Sequence, residues 1–320
     1  MSEQIDSTYD YDEFGLFHEN IAEFDLDADP APVVERIETV VDEATGRTVS
    51  ALRWGAEPPQ LVLLHGGAQN AHTWDTVALA LGRPLLAIDL PGHGHSGWRA
   101  DGAYTPMNLA DDVAVVIAAH APDAALVVGM SLGGMTSMEL AVRHPALVPS
   151  LIMVDVTPGV NAEKAKAVID FVDGPQSFDS FADLLARTMQ FNPTRSESSL
   201  RRGILHNAAP SADGSWQWRY DRGSRARARA EADAEAPQEP KEPPAVAAVM
   251  SPLWDDFGAV ACPLLLVRGS LSPVVDDDDE AEARRRQPSI EVRMVDGAGH
   301  SVQGDRPVEL AAIIESRLPG

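Results

Sequence analysis

The sequence predicts an α/β fold, a parallel sheet wrapped by helices, and three observations predict it. Short apolar runs without polar alternation recur along the chain, among them 61–64, 84–90, 126–128, 147–154 and 263–267; such runs suit strands buried on both faces. Between them lie helical stripes, such as Trp74, Val77, Ala78 and Leu81 at i, i+3, i+4, i+7, and then Leu109, Val113, Val116 and Ile117. Several runs end in glycine-rich turns, at Gly66-Gly67, Pro91-Gly-His-Gly-His-Ser and Gly129-Met-Ser-Leu-Gly. Strand and helix in alternation imply parallel pairing.

Taken in order, residues 1–32 are rich in Asp and Glu and close on Pro30 and Pro32, so they are expected to form an acidic, flexible N-terminal tail. Leu16, Phe17 and Ile21 are spaced for a short amphipathic helix, the alternative for that stretch. From 33 to 54, apolar residues flank Asp42-Glu-Ala-Thr-Gly-Arg, a hairpin signature. The alternation then runs from 60 to 158 and resumes at 261–320, and residues 33–158 and 261–320 together are expected to form the core. That second part carries a helix around 279–286, a strand at 290–295 and a last helix from Pro307. Residues 159–260 break the pattern. Over 162–191 Phe178, Phe181, Leu184, Leu185 and Met189 share a helical face, a further helix is expected over 200–207, and Trp216-Gln-Trp-Arg-Tyr is aromatic-rich. From about 223 to 248 the composition turns to Arg, Ala, Glu and Pro, which predicts a disordered insertion.

The totals exclude several classes. Lys and Arg number 25 against 49 Asp and Glu, a net charge of −24 that argues against nucleic acid and anionic membrane as partners. No run approaches the roughly 18 apolar residues that a transmembrane helix needs. The acidic start is unlike a signal peptide, which predicts a cytoplasmic location. Cys262 is the single cysteine; it forms no internal disulfide and reads as a thiol beside an apolar strand.

Chemistry concentrates on Ser131. It sits in Gly-x-Ser-x-Gly between a strand signal and a helix signal, where glycines let the chain turn sharply and expose a hydroxyl. A serine nucleophile needs a histidine as base, an acid to orient that histidine, and donors for the oxyanion. His300, in Gly297-Ala-Gly-His-Ser after the last strand signal, is the candidate base. The amides of Leu132 and Gly67 are the candidate oxyanion hole, with Ala68 behind them; His65 is expected to buttress that loop.

With Gly-Met-Ser-Leu-Gly-Gly, His-Gly-Gly, Asp89-Leu-Pro-Gly-His-Gly-His-Ser and Gly-Ala-Gly-His in that order, the chain resembles the α/β-hydrolase superfamily from about residue 33 to its end. More narrowly, His65-Gly-Gly-Ala-Gln-Asn-Ala-His-Thr-Trp-Asp, Val154-Asp-Val-Thr-Pro, His206-Asn207 and Gly299-His-Ser-Val-Gln look like a mycobacterial and actinobacterial branch of ester-cleaving serine hydrolases. The resemblance implies an eight-stranded, mostly parallel sheet with a helical cap inserted after the sixth strand. One position departs from it. Most of the family carries Asp three residues after the glycine that ends the seventh strand, and counted from Gly269 that place holds Ser272. Two carboxylates remain open as the acid. Asp155 ends the sixth strand, and some similar esterases draw their acid there with a serine bonded to it. Asp276 lies just past Ser272 but begins a run of four acids typical of a helix start. Asp155 is favoured.

The expected activity is hydrolysis of small carboxylic esters with short to medium acyl chains, with Ser131, His300 and Asp155 as triad and no metal or organic cofactor. Thioester, lactone or C–C hydrolysis and acyl transfer would use the same groups, and a binding protein with little turnover is the reading from another class. Phe178, Phe181, Trp216 and Trp218 are read either as pocket lining or as the cap's own core. The sequence leaves the oligomeric state open.

Overall fold

The computed structural model describes residues 11–28, 32–161, 163–223 and 253–319. Its frame is an eight-stranded, mostly parallel sheet. Strands β1 (Val34–Asp42) and β2 (Arg47–Trp54) form the antiparallel hairpin, with Gly46 at φ 71° in its turn. Strand β2 runs antiparallel to β4 (Leu85–Ile88), and every later pairing is parallel: β4 with β3 (Leu61–Leu64), then β5 (Leu126–Met130), β6 (Leu151–Val154), β10 (Leu264–Gly269) and β11 (Glu291–Val295). The central strands are buried throughout because helices cover both faces, which is why their sequences lack alternation.

One face packs α3 (Pro106–His120), α4 (Leu132–Arg143), α8 (Leu253–Ala259) and α9 (Asp277–Arg286) through residues such as Leu109, Met135, Phe257 and Ala283. The other packs α1 (Phe17–Phe24), α2 (Asp75–Leu81), α10 (Val302–Asp305) and α11 (Pro307–Glu315) through Phe17, Val77, Val302 and Leu310. Cys262 is half-buried against the first of these cores. Among the described residues no helix is long and apolar enough to cross a membrane.

Two expectations need correcting. Residues 11–28 are not a loose tail: Leu16 and Phe17 are buried, the Phe17 ring lies 4.9 Å from that of Trp54, and Glu13 pairs with Arg36. Apolar anchors and a paired acid hold the segment despite its acidic composition. The core also resumes earlier than 261, since α8 contributes Leu253 and Phe257 to the sheet-face cluster. The expected insertion at 223–248 lies, beyond Gly223, outside the described residues.

After β6 come α5 (Lys166–Val172), β7 (Ser177–Phe178), α6 (Phe181–Phe191), α7 (Glu197–Asn207), β8 (Ala208–Pro210) and β9 (Trp216–Trp218). The three short strands make a separate sheet in the order β7-β9-β8. Ser180 and Ser196 cap α6 and α7 by accepting the amides of Asp183 and Ser199. Leu184, Leu200, Ile204 and Trp216 give this layer its own core.

Candidate active site

Strand β5 delivers Ser131 at the crest of a turn whose backbone no ordinary residue prefers, φ 50° and ψ −117°. The turn is possible because nothing projects beneath it. A Cβ on Gly129 would lie 2.2 Å from the Gly133 carbonyl oxygen, and one on Gly133 would lie 2.3 Å from that of Leu64. The Ser131 amide donates to the Val154 carbonyl at 3.1 Å, which ties the turn to the neighbouring strand.

His300 reaches the serine from the loop after β11. Its Nε2 stands 3.1 Å from Ser131 Oγ and its Nδ1 2.8 Å from Asp155 Oδ2. Gly297 turns that loop at φ 69°, and the Gly299 amide donates to Asp305 at 2.6 Å. Asp155 follows β6, fully buried, and it too has positive φ, 52°. Its oxygens are all engaged: Oδ1 accepts the Gly269 amide at 2.9 Å, and Oδ2 accepts Ser272 Oγ–H at 2.5 Å as well as the imidazole. Ser272, standing where the family usually carries Asp, thus bonds to the carboxylate instead of being one.

Asp276 is not part of this group. It caps α9 by accepting the Asp279 amide at 3.0 Å, and it pairs with Lys164 at 2.8 Å. The hydrogen bond from that ammonium is the main cause that holds its carboxyl down at about 2. The run of acids is a helix start, whose N-terminal dipole favours negative charge.

Gly67 lines the same cavity as Ser131 and His300, and the Leu132 amide is the first of α4, where helix geometry leaves it without a partner. The amide of Gly66 is already taken by Gln69 Oε1 at 3.0 Å. The loop is braced from below and from the cap. His65, fully buried, donates from Nδ1 to the Gly66 carbonyl at 2.7 Å and accepts the Leu90 amide on Nε2 at 2.8 Å; burial pushes its pKa down to about 3, so it stays neutral. From α7, Asn207 Nδ2 donates to the Ala68 carbonyl at 2.6 Å, while Asn70 Nδ2 donates to the His206 carbonyl at 2.9 Å.

The cavity above Ser131 measures about 270 Å³, with apolar walls from Phe171, Val172, Phe191, Leu271 and Val274. None of the four aromatic residues proposed from sequence lines it. Trp216 and Phe181 stack edge to face at 5.0 Å inside the cap core, and Trp218 lines a second, adjoining cavity. Phe171 and Phe191 were missed because both close a helix that the hydrophobic pattern of 162–191 runs together.

Among the described residues one group offers three metal-ligand atoms within 4.8 Å of one another: His72, Asp75 and His206. Its geometry is that of an ion pair. His72 has Asp75 at 2.9 Å on one nitrogen and Glu13 at 3.1 Å on the other. Burial disfavours the imidazolium, but those carboxylates outweigh it and lift the pKa to about 9. The His206 ring lies parallel to it, 3.8 Å between centroids, so the two sets of in-plane lone pairs do not converge on one ion.

Comparison with known proteins agrees with the fold. Residues 59–307 match the alpha/beta hydrolase fold family. Esterase Rv0045c of Mycobacterium tuberculosis is 41% identical over 316 residues, 96% of each chain. A structure of that esterase, from work on its transition metal inhibition and structural refinement, superposes with a TM-score of 0.78 over 95% of this chain and 98% of that one. The 3-hydroxybutyrate-oligomer hydrolase of Cupriavidus necator is 27% identical, covering 81% of this chain and 88% of its own.

Proposed function

The chain belongs to the alpha/beta hydrolase fold family, and from that premise we propose that it hydrolyses carboxylic esters through an acyl-enzyme built on Ser131. The observation that carries the reading is the unbroken chain of hydrogen bonds from Ser131 Oγ through His300 to Asp155. Ser131 Oγ attacks the acyl carbon while His300 Nε2 takes its proton, and the imidazolium then returns that proton to the departing alkoxide. Asp155, with both oxygens occupied, holds Nδ1–H and stabilises the imidazolium. The Gly67 and Leu132 amides receive the oxyanion. Water activated by the same imidazole attacks the acyl-enzyme, and the serine is released.

The apolar walls and size of the cavity suit an acyl group of short to medium length. Esterase activity of the 41% identical mycobacterial relative supports the same substrate class. A cytoplasmic setting belongs to the proposal and rests on the acidic composition and the single cysteine. The test is a fluorophosphonate probe together with 4-nitrophenyl esters from acetate to octanoate. Wild type is expected to be labelled and to turn over the shorter esters, and Ser131→Ala to do neither. Labelling that persists in Ser131→Ala, or no turnover of any ester by wild type, would overturn the reading.

A further inference from the structure

Three arginines stand on α7 or just before it, and they are not equivalent. Arg201 pairs with Glu19 at 3.1 Å and Arg202 pairs with Glu23, both acids supplied by α1. Arg195 has no carboxylate within 4.0 Å among the described residues. Its Nη2 donates to Ser199 Oγ at 2.7 Å and to the Ser199 carbonyl at 3.5 Å, and its Nε has no hydrogen-bond partner. The nearby Asp305 is committed elsewhere, to the Gly299 amide at 2.6 Å and Thr194 Oγ1 at 3.0 Å. A guanidinium offers five N–H donors; Arg195 is half-buried, and Asp305 and Glu23 attract it only from beyond contact distance, so no carboxylate of the described residues fills its fork. In a chain of net charge −24, acids to match it are not scarce.

Arg195 lines the second cavity, about 110 Å³, with Asn192, Ser199, Thr73 and Gln303 around it. Among the described residues the other charged groups on that wall are matched: Arg202 by Glu23, and His72 by Asp75, the one acid they place on the lining. This cavity shares Ala68, Gln69, Phe171 and Asn192 with the one above Ser131. A ligand seated over the serine can therefore extend past the oxyanion loop into a polar chamber where, among the described residues, one guanidinium has no carboxylate in contact with it. We propose that the ester this protein cleaves carries a carboxylate remote from the scissile bond, and that Arg195 receives it. The planar fork of a guanidinium fits the two oxygens of a carboxylate. The inference rests on Ser131 being the nucleophile, and it adds the class of substrate.

The test compares two matched pairs of esters, so that the charge enters from either end. Mono-4-nitrophenyl adipate against 4-nitrophenyl hexanoate places it on the acyl side; 4-butyryloxybutanoate against butyl butyrate places it on the alcohol side. Rates are read at 0.15 M salt, where the Debye length of about 8 Å limits repulsion by the acidic surface. Wild type is expected to favour the acid-bearing member of at least one pair by about tenfold to a hundredfold in kcat/KM, the worth of a charge-assisted hydrogen bond. Arg195→Gln should collapse that ratio, Arg195→Lys should restore part of it, and Arg201→Gln should retain it. Should Arg195→Gln fail to fold, competition serves on wild type: glutarate should inhibit hydrolysis of the hexanoate ester competitively, and glutaramide should not. Absence of preference in both pairs, a ratio that survives in folded Arg195→Gln, or equal inhibition by glutarate and glutaramide overturns the inference. Hydrolysis of the neutral esters separates these results from failure of the ester reading itself.

Discussion

Replacing Asp155 by Asn isolates what the buried carboxylate does, because the surrounding bonds dictate how an amide must sit. The Gly269 amide requires an acceptor at the Oδ1 position, 2.9 Å away. The amide oxygen must therefore stay there, and the new NH2 takes the place of Oδ2, facing His300 Nδ1 and Ser272 Oγ. A donor opposite Nδ1 forces the imidazole proton onto Nε2, the nitrogen 3.1 Å from Ser131 Oγ that has to accept a proton. The ring is held in the wrong tautomer while the fold is nearly unchanged. Loss of tautomer control of this kind costs about 10⁴-fold in kcat, or about 5.5 kcal/mol of barrier. Ser272→Ala removes one hydrogen bond from the carboxylate and leaves the tautomer intact, so about tenfold is the expected ceiling. Asp276→Asn keeps a good N-cap and should stay within about twofold of wild type. Steady-state hydrolysis of 4-nitrophenyl butyrate, with melting temperatures as a check on folding, measures all three. If Asp155→Asn kept a tenth of wild-type kcat, or Asp276→Asn lost as much as Asp155→Asn, the assignment of the acid would be refuted.

Two further outcomes follow from the same geometry. Ser131→Gly should abolish turnover yet raise unfolding stability by about 1 kcal/mol in urea titrations, since glycine adopts φ 50° without strain; an unchanged or lower stability would mean the turn stores none. The second concerns His72, whose pKa rises on folding from 6.5 to about 9, so the stability it contributes is complete below pH 6.5 and is lost as pH climbs through 9. Wild type should therefore lose up to about 3 kcal/mol relative to His72→Gln between pH 6.5 and 9.5 in denaturant titrations, and parallel curves would exclude a charged His72.

How much was legible in the sequence differed between strands and contacts. Strands β3 to β6 stand out because burial on both faces leaves nothing polar in them, β10 because Leu264 to Val267 are apolar ahead of the ion-paired Arg268, and Gly-x-Ser-x-Gly because a turn that tight admits few alternatives. Ser131 and His300 were legible as candidates at strand ends, which a parallel sheet gathers along one edge, whereas Asp155 was favoured over Asp276 through the resemblance to esterases that draw their acid from the sixth strand. Strands of two or three residues, such as β7 and β9, are too short to carry a period, so Trp216-Gln-Trp read only as aromatic. The spacing of Leu16, Phe17 and Ile21 offered the helix α1 as an alternative to a loose tail, but not that Phe17 would anchor it on Trp54, a contact across the sequence. Asn207 was legible only as part of a motif and Arg195 not at all, for another reason: each matters through a partner, or the lack of one in contact, that only the folded chain brings near.

The bond from Asn207 to the Ala68 carbonyl has an engineering consequence. Chimaeras that graft a foreign cap onto such a sheet treat the cap as an interchangeable specificity module, leaving the chemistry to the part below. Here a residue at the end of α7 holds the carbonyl next to Gly67, so removing the cap also removes a brace from the loop expected to meet the developing negative charge. A graft that supplies a perfect new pocket but no side chain at that place should bind its ester well and turn it over slowly.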